Sequence, residues 1–203
     1  MSQLKLVADS GGGTIAIKAP ANTTSNGAFE LTLPGTGSRG LGKILQVVQG
    51  TLGSQHSNTT TTYQDIGLSA VLTPTQVGSK VFLTEMIQYN LDGSSSSASV
   101  GGAFKTVRKV ASGNFSDLVG HTPANSTGPF ALYFAASGSN DNNFHQAHNV
   151  SLLDTPSYSL GDSITYKVQS RLHQANGTIY ASFGGTPGNT QSISYITLME
   201  VAA

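Results

Sequence analysis

An all-β fold, an antiparallel sandwich, follows from three observations. Ser or Thr alternates with apolar residues along Ser192-Ile193-Ser194-Tyr195-Ile196-Thr197-Leu198-Met199-Glu200-Val201, the period-two pattern of a strand docked in a sheet rather than a frayed tail. No stretch carries a sustained i, i+3, i+4 apolar pattern. Gly, Pro and Asn clusters interrupt the chain at short intervals, as they do in domains built from many short strands.

Residues 4–8, 14–18 and 29–33 read as three short strands, separated by Gly11-Gly12-Gly13 and by residues 20–27. So small a segment buries too little surface to fold alone, and it needs the main domain, sister subunits or a docking partner as neighbour. Residues 34–40 are a Gly/Ser linker, which divides the chain into residues 1–38 and 39–203.

In the larger part, strands are predicted at residues 43–52, 61–72, 80–89, 102–110, 130–135, 149–153, 163–173, 178–183 and 192–201. Asn176-Gly177, flanked by alternating apolar residues, is a strong hairpin signal between the strands on either side. The Ser/Gly/Asn stretches 92–101 and 137–143 read as exposed loops. In Val81-Phe82-Leu83-Thr84-Glu85-Met86-Ile87, Val81, Leu83 and Ile87 share one face while Phe82 and Met86 share the other. A free sandwich keeps its outer face polar, so Phe82 and Met86 are candidates for an interface with another subunit.

Composition narrows the function. In 203 residues, Lys and Arg number 10 and Asp and Glu 10, a charged share of 10% against the usual ~25%. Zero net charge gives no electrostatic reason to bind nucleic acid or an anionic membrane. Cysteine is absent, the first residues form no apolar leader, and no apolar run approaches the ~20 residues that cross a bilayer. Synthesis in the cytoplasm, with exit by a route such as lysis, is the expectation.

Several motifs match in letters and fail in context. Gly35-x-Gly37-x-x-Gly40 has the spacing of a dinucleotide fingerprint, and Gly37-x4-Gly42-Lys43 nearly that of a phosphate loop, but both need a following helix, and a strand follows here. Gly161-Asp162-Ser163 lacks the downstream Asp-x-x-His that would activate a serine. Asp141, His145 and His148 are weak candidates for a metal site, which needs at least three ligands. No two carboxylates are paired by the sequence at the ~5–10 Å that glycoside cleavage requires. No catalytic residue and no cofactor is expected. Of the aromatics that could stack on a sugar, Tyr89, Tyr133, Phe134, Tyr158 and Tyr180 fall in or near strands and read as core or interface packing. Phe144 lies in a polar stretch and, with Asn140 and Asn143, is a candidate receptor contact.

As a set, these segments resemble the fibres of tailed phages. Leu4-Lys5-Leu6-Val7-Ala8-Asp9-Ser10-Gly11-Gly12-Gly13-Thr14-Ile15-Ala16-Ile17-Lys18 and Phe29-Glu30-Leu31-Thr32-Leu33-Pro34-Gly35 look like the leader of cyanophage-like virion proteins. Lys43-Ile44-Leu45-Gln46-Val47-Val48, Thr62-Tyr63-Gln64-Asp65-Ile66-Gly67-Leu68, Ser79-Lys80-Val81-Phe82-Leu83, Ser163-Ile164-Thr165-Tyr166-Lys167-Val168-Gln169 and Ile196-Thr197-Leu198-Met199-Glu200 are similar to their head domains, in the same order. The resemblance implies a homotrimeric, jelly-roll-like head on the virion surface, attached through residues 1–38 to other tail, baseplate or capsid proteins, with no enzyme activity. It implies a short tail fibre that meets a host-surface glycan. The alternatives are a capsid fibre or decoration protein and, less favoured, a polysaccharide depolymerase. Long fibres carry a shaft between leader and head, and this chain has none.

Overall fold

A computed structural model describes residues 3–7, 14–18, 44–93, 100–118, 130–134, 143–183 and 192–203. The chain divides into two compact units, Met1–Ser38 and Arg39–Ala203. In the first, β1 (Gln3–Val7) and β2 (Thr14–Lys18) pair antiparallel, with Gln3 opposite Lys18 and Val7 opposite Thr14. The strand expected at 29–33 and the linker 34–40 lie outside the described residues.

The second unit is an antiparallel β-sandwich. Its strands are β3 (Ile44–Leu52), β4 (His56–Asn58), β5 (Gln64–Leu72), β6 (Lys80–Gly93), β7 (Val100–Val110), β8 (Ser116–Asp117), β9 (Phe130–Phe134), β10 (Asn143–Asp154), β11 (Ile164–Leu172), β12 (Gly177–Ala181) and β13 (Ser194–Val201). The long β6 is the spine of a six-stranded sheet. Along one edge it pairs with β10 from Val81 to Asp92. Along its other edge it pairs first with β13, which carries β3 beyond it, and then with β12, which carries β4. The second sheet runs β5-β11-β7-β8, with β9 also on β7.

The partner of β6 changes between Met86, opposite Tyr195, and Tyr89, opposite Ala181. The backbone groups left at that junction are satisfied by two serines. Gln88 N donates to Ser194 Oγ at 3.0 Å, and Ser182 N donates to Gln88 O at 2.7 Å. Ser182 sits at φ 51, a region that L residues seldom adopt. Its hydroxyl holds it there by donating to Leu52 O at 2.7 Å, with Ser194 Oγ 2.8 Å away.

The core is what the alternation predicts. Inward residues of β6 (Leu83, Ile87, Leu91) meet Leu68 and Leu72 of β5, Phe104 of β7 and Val168 and Leu172 of β11, all buried. Each such side chain stabilises the fold by about 1.5–3 kcal/mol relative to exposure. The sheets approach closely at the β3–β5 edge, where a Cβ on Gly50 would overlap the carbonyl of Ser69. Only glycine fits there.

Three expectations are corrected. The Asn176-Gly177 turn does not close a hairpin. Both edges of β11 are taken by β5 and β7, so the turn carries the chain across to the other sheet, where Gly177 pairs with Gly93. There, a Cβ at Gly177 would overlap the Asp92 carbonyl, so this glycine serves close strand contact. The loop expected at 92–101 is shorter than read, because β6 runs on to Gly93 and β7 begins at Val100. The third correction is β10, which begins at Asn143 rather than Asn149: Asn143, Phe144 and His145 are strand residues opposite Asp92, Leu91 and Asn90.

Candidate functional site

The two outer faces of the sandwich differ in chemistry. On the five-stranded sheet, Asp65, Lys105, Lys109, Asp117, Lys167 and Arg171 point outward and engage one another or aromatic rings. Lys167 Nζ is 2.6 Å from Asp65 Oδ2, and Gln169 Nε2 donates to Asp65 Oδ1 at 2.6 Å. Lys105 Nζ is 2.7 Å from Asp117 Oδ1. The Phe115 ring lies under Lys167 (3.8 Å) and Lys109 (5.1 Å), and the Tyr63 ring under Lys105 (4.4 Å) and Arg171 (5.1 Å). Burial alone would raise the Asp65 pKa, but the bonds from Lys167 and Gln169 outweigh it and hold the carboxyl below its ordinary range.

The outer face of the six-stranded sheet carries a row of apolar residues across four strands. Val47 stands opposite Met199, Met199 opposite Phe82, and Phe82 opposite Leu153. Val47 is 57% and Leu153 49% exposed, and Ile44, beside Val201, is 54% exposed. The next outward row, Gln49-Thr197-Thr84-Ser151, is neutral, with Gln49 Nε2 donating to Thr197 Oγ1 at 2.9 Å. The row after it, Thr51-Tyr195-Met86-Asn149, holds the second interface candidate. Phe82 and Met86 therefore share this outer face. Among its described residues, Lys80 and Asp92 are the charged side chains, one near each end.

Further along the same face is a pocket of about 280 Å³ lined by Gln88, Tyr89, His145, Gln146, Ala147, Phe183 and Ser192. The strand register puts Gln88 opposite Ala147, and His145 one row on, opposite Asn90. The Phe183 ring stands between His145 (centroids 4.8 Å apart) and Tyr180 (5.5 Å). Its carbonyl accepts from Ser192 N at 3.3 Å and from Ser192 Oγ at 2.8 Å. The Tyr89 hydroxyl, whose pKa burial raises to about 12, donates to Gln146 Oε1 at 3.2 Å.

The structure redistributes the sequence candidates. Asn140 and Asp141 lie outside the described residues. Phe144 is not at an exposed tip: it is half-buried on β10 opposite Leu91 and packs against the core. Asn143 is the first residue of the same strand. His145 and His148, three apart on a strand, point to opposite faces, because side-chain direction alternates. His145 meets Phe183, while His148 stacks on Phe104 at 5.6 Å, so the pair cannot share one ion. Among the described residues no group of three His, Asp or Glu is placed to hold a metal. Tyr89 and Tyr166 are interior, as expected of strand aromatics, and Tyr158 donates from its hydroxyl to Gln76 O at 2.6 Å. Nothing in residue order points to Gln88, Phe183 and Ser192, which are scattered over the chain and come together only in the fold.

Two interior carboxylates are held in opposite ways. Glu85 points from β6 into the core, 3% exposed, and its Oε1 accepts from Thr106 Oγ1 at 2.6 Å. Burial pushes its pKa up to about 7 from 4.5, against the smaller opposing effect of that bond. Glu200 of β13 is also buried, which by itself would raise its pKa. Bonds from Gln46 Nε2 (2.7 Å), together with Ser79 and with Thr75 N (2.8 Å) and Oγ1 (3.0 Å), outweigh burial and hold it below its ordinary value, and Gln76 N also donates to it at 3.1 Å.

No family model matches the chain, and a search of curated proteins returns no match either.

Proposed function

We propose that this chain is a structural virion protein of a tailed bacteriophage, a short tail fibre that mediates attachment to the host surface. In this reading three copies associate through the outer face of the six-stranded sheet, and residues 1–38 join the trimer to other virion proteins. The observation that carries the assembly is the Val47-Met199-Phe82-Leu153 row, a continuous apolar stripe across four strands of a sandwich whose other face is charged. An exposed apolar patch bounded by polar residues is the usual mark of an interaction surface. The number three and the virion setting come from the resemblance of the sequence to phage fibres. Attachment would work by avidity, weak sites on a trimer engaging a repetitive surface together.

Light scattering of the purified protein, with a gel run on unboiled sample, tests the assembly, and a mass of one chain would overturn it. Competition of host adsorption by the free protein tests attachment. The second reading is a capsid fibre or decoration protein, which the lack of a long shaft in the sequence suits as well as it suits a short tail fibre. It predicts that the free protein binds particles lacking it and leaves adsorption unchanged. Deleting residues 1–38 abolishes incorporation in both readings. Loss of host polysaccharide on incubation would instead indicate a depolymerase.

A further inference from the structure

We propose that the pocket between β6, β10 and Phe183 is a binding site for one neutral sugar ring. Its role as the host-glycan contact rests on the attachment reading, while the sugar site itself does not.

The lining decides the ligand class. No Asp, Glu, Lys or Arg is among the seven described lining residues, which favours a neutral ligand over an anion or a cation. An apolar ligand is disfavoured by the amide of Gln88, the imidazole of His145 and the hydroxyl of Ser192. A polyhydroxylated ring satisfies both constraints. The Ser192 hydroxyl spends its proton on Phe183 O and keeps lone pairs to accept with. The Gln88 side-chain amide, on the outward row beside Ala147, both donates and accepts. A sugar hydroxyl, at once donor and acceptor, complements such a pair. The Phe183 ring, braced by His145 and Tyr180, offers a flat apolar surface for the C–H face of a pyranose. Size agrees: 280 Å³ is room for about nine waters at ~30 Å³ each, the scale of one sugar unit and not of a chain.

Position agrees as well. Gln88 lies six residues along β6 from Phe82, roughly 20 Å at ~3.3 Å per residue.

The test is a titration of the isotope-labelled full chain with methyl glucoside, methyl galactoside and N-acetylglucosamine in turn, following backbone amide signals, with N-acetylneuraminic acid as the anionic comparison. The expected result is saturable shifts at Gln88, His145, Ala147 and Ser192 from at least one neutral sugar at millimolar concentration, and weaker shifts from the acid. Phe183→Ala should weaken that binding roughly tenfold, the scale of one aromatic contact. Gln88→Ala, which leaves the backbone bonds of Gln88 intact, should weaken it severalfold and serves if Phe183→Ala does not fold. Absence of saturable shifts with all three sugars, or equal binding by a folded variant, overturns the site. Adsorption assays separate the two ideas. If the wild type and Phe183→Ala compete equally, attachment stands and the pocket fails. If sugar binds but the wild type does not compete, the pocket stands and attachment fails.

Discussion

The two outer faces are built on the same alternating backbone and made of opposite materials. On the five-stranded sheet every long cation has a carboxylate or a ring within reach, so the face is finished as it stands and water is its natural neighbour. On the six-stranded sheet the equivalent positions hold Val47, Met199, Phe82 and Leu153, which gain nothing from water. The lesson is that binary patterning names the inside of a sandwich reliably, and that departures from it on the outside mark where a second body is expected.

The sharpest way to break this contrast is to put a charge into the apolar row. Phe82→Glu should reduce the solution mass of the proposed assembly to that of one chain, because an unpaired charge buried at an interface costs several kcal/mol. The same change on the other face, Lys167→Glu, should leave the mass unaltered. Light scattering of the two variants side by side decides it, and equal masses for both would remove the distinction.

The second prediction probes the interior side of the apolar sheet through Glu85. Its carboxyl titrates near 7 when folded and near 4.5 when unfolded. Between those values the native state holds the extra proton, so stability is full below about pH 4.5 and falls as pH rises through about 7, by about 3 kcal/mol in all. Thermal unfolding should show this decline, and Glu85→Gln should flatten it. A decline that persists in the variant would assign it to another group. Glu200 acts with the opposite sign. Its depressed pKa contributes stability above the ordinary glutamate range, lost as the solution is acidified through the folded value. Glu200→Ala, which strands donors from Gln46, Thr75 and Gln76, should cost about 2–3 kcal/mol near neutral pH by denaturant unfolding.

The smallest expected effect lies on the charged face. Asp65→Ala removes the partner of Lys167 and Gln169 and should cost under ~1 kcal/mol, shrinking further in high salt, since the pair is open to solvent. A larger cost would mean that this face is also covered by something.

Much of the fold could be read from residue order alone, and the reasons for the exceptions are physical. Strands β5 and β11 announce themselves because one side is largely apolar and the other largely polar over nine residues. The short β4, His56-Ser57-Asn58, has no apolar pattern; it is a strand because β12 supplies its ladder, with Asn58 Nδ2 bonded to Ser170 O at 2.7 Å. The start of β10 is equally polar, Asn143-Phe144-His145-Gln146, and only the length of β6 beside it makes it extended. Asn176-Gly177 misled because a turn signal specifies a reversal, not which strand is met afterwards. Of the site, the outward placement of Phe82 and Met86 was readable, since it needs only parity. The pocket was not, because Gln88, His145, Phe183 and Ser192 come from separate segments and no spacing rule links them.

The place of β13 has a consequence for how the molecule is made. This strand lies between β3 and β6, and its Glu200 is joined to Gln46 across 154 residues of chain. A ribosome therefore releases β3 and β6 long before the strand that belongs between them exists. During that interval β3 has no ladder partner and β6 leaves the Lys80–Met86 part of one edge unpaired, and non-local pairing of this kind closes slowly. The β5-β11-β7 sheet and the β6–β10 pair can form without β13, whereas β3 has its ladder partner only in β13, so the six-stranded sheet is completed last, at its β3 edge.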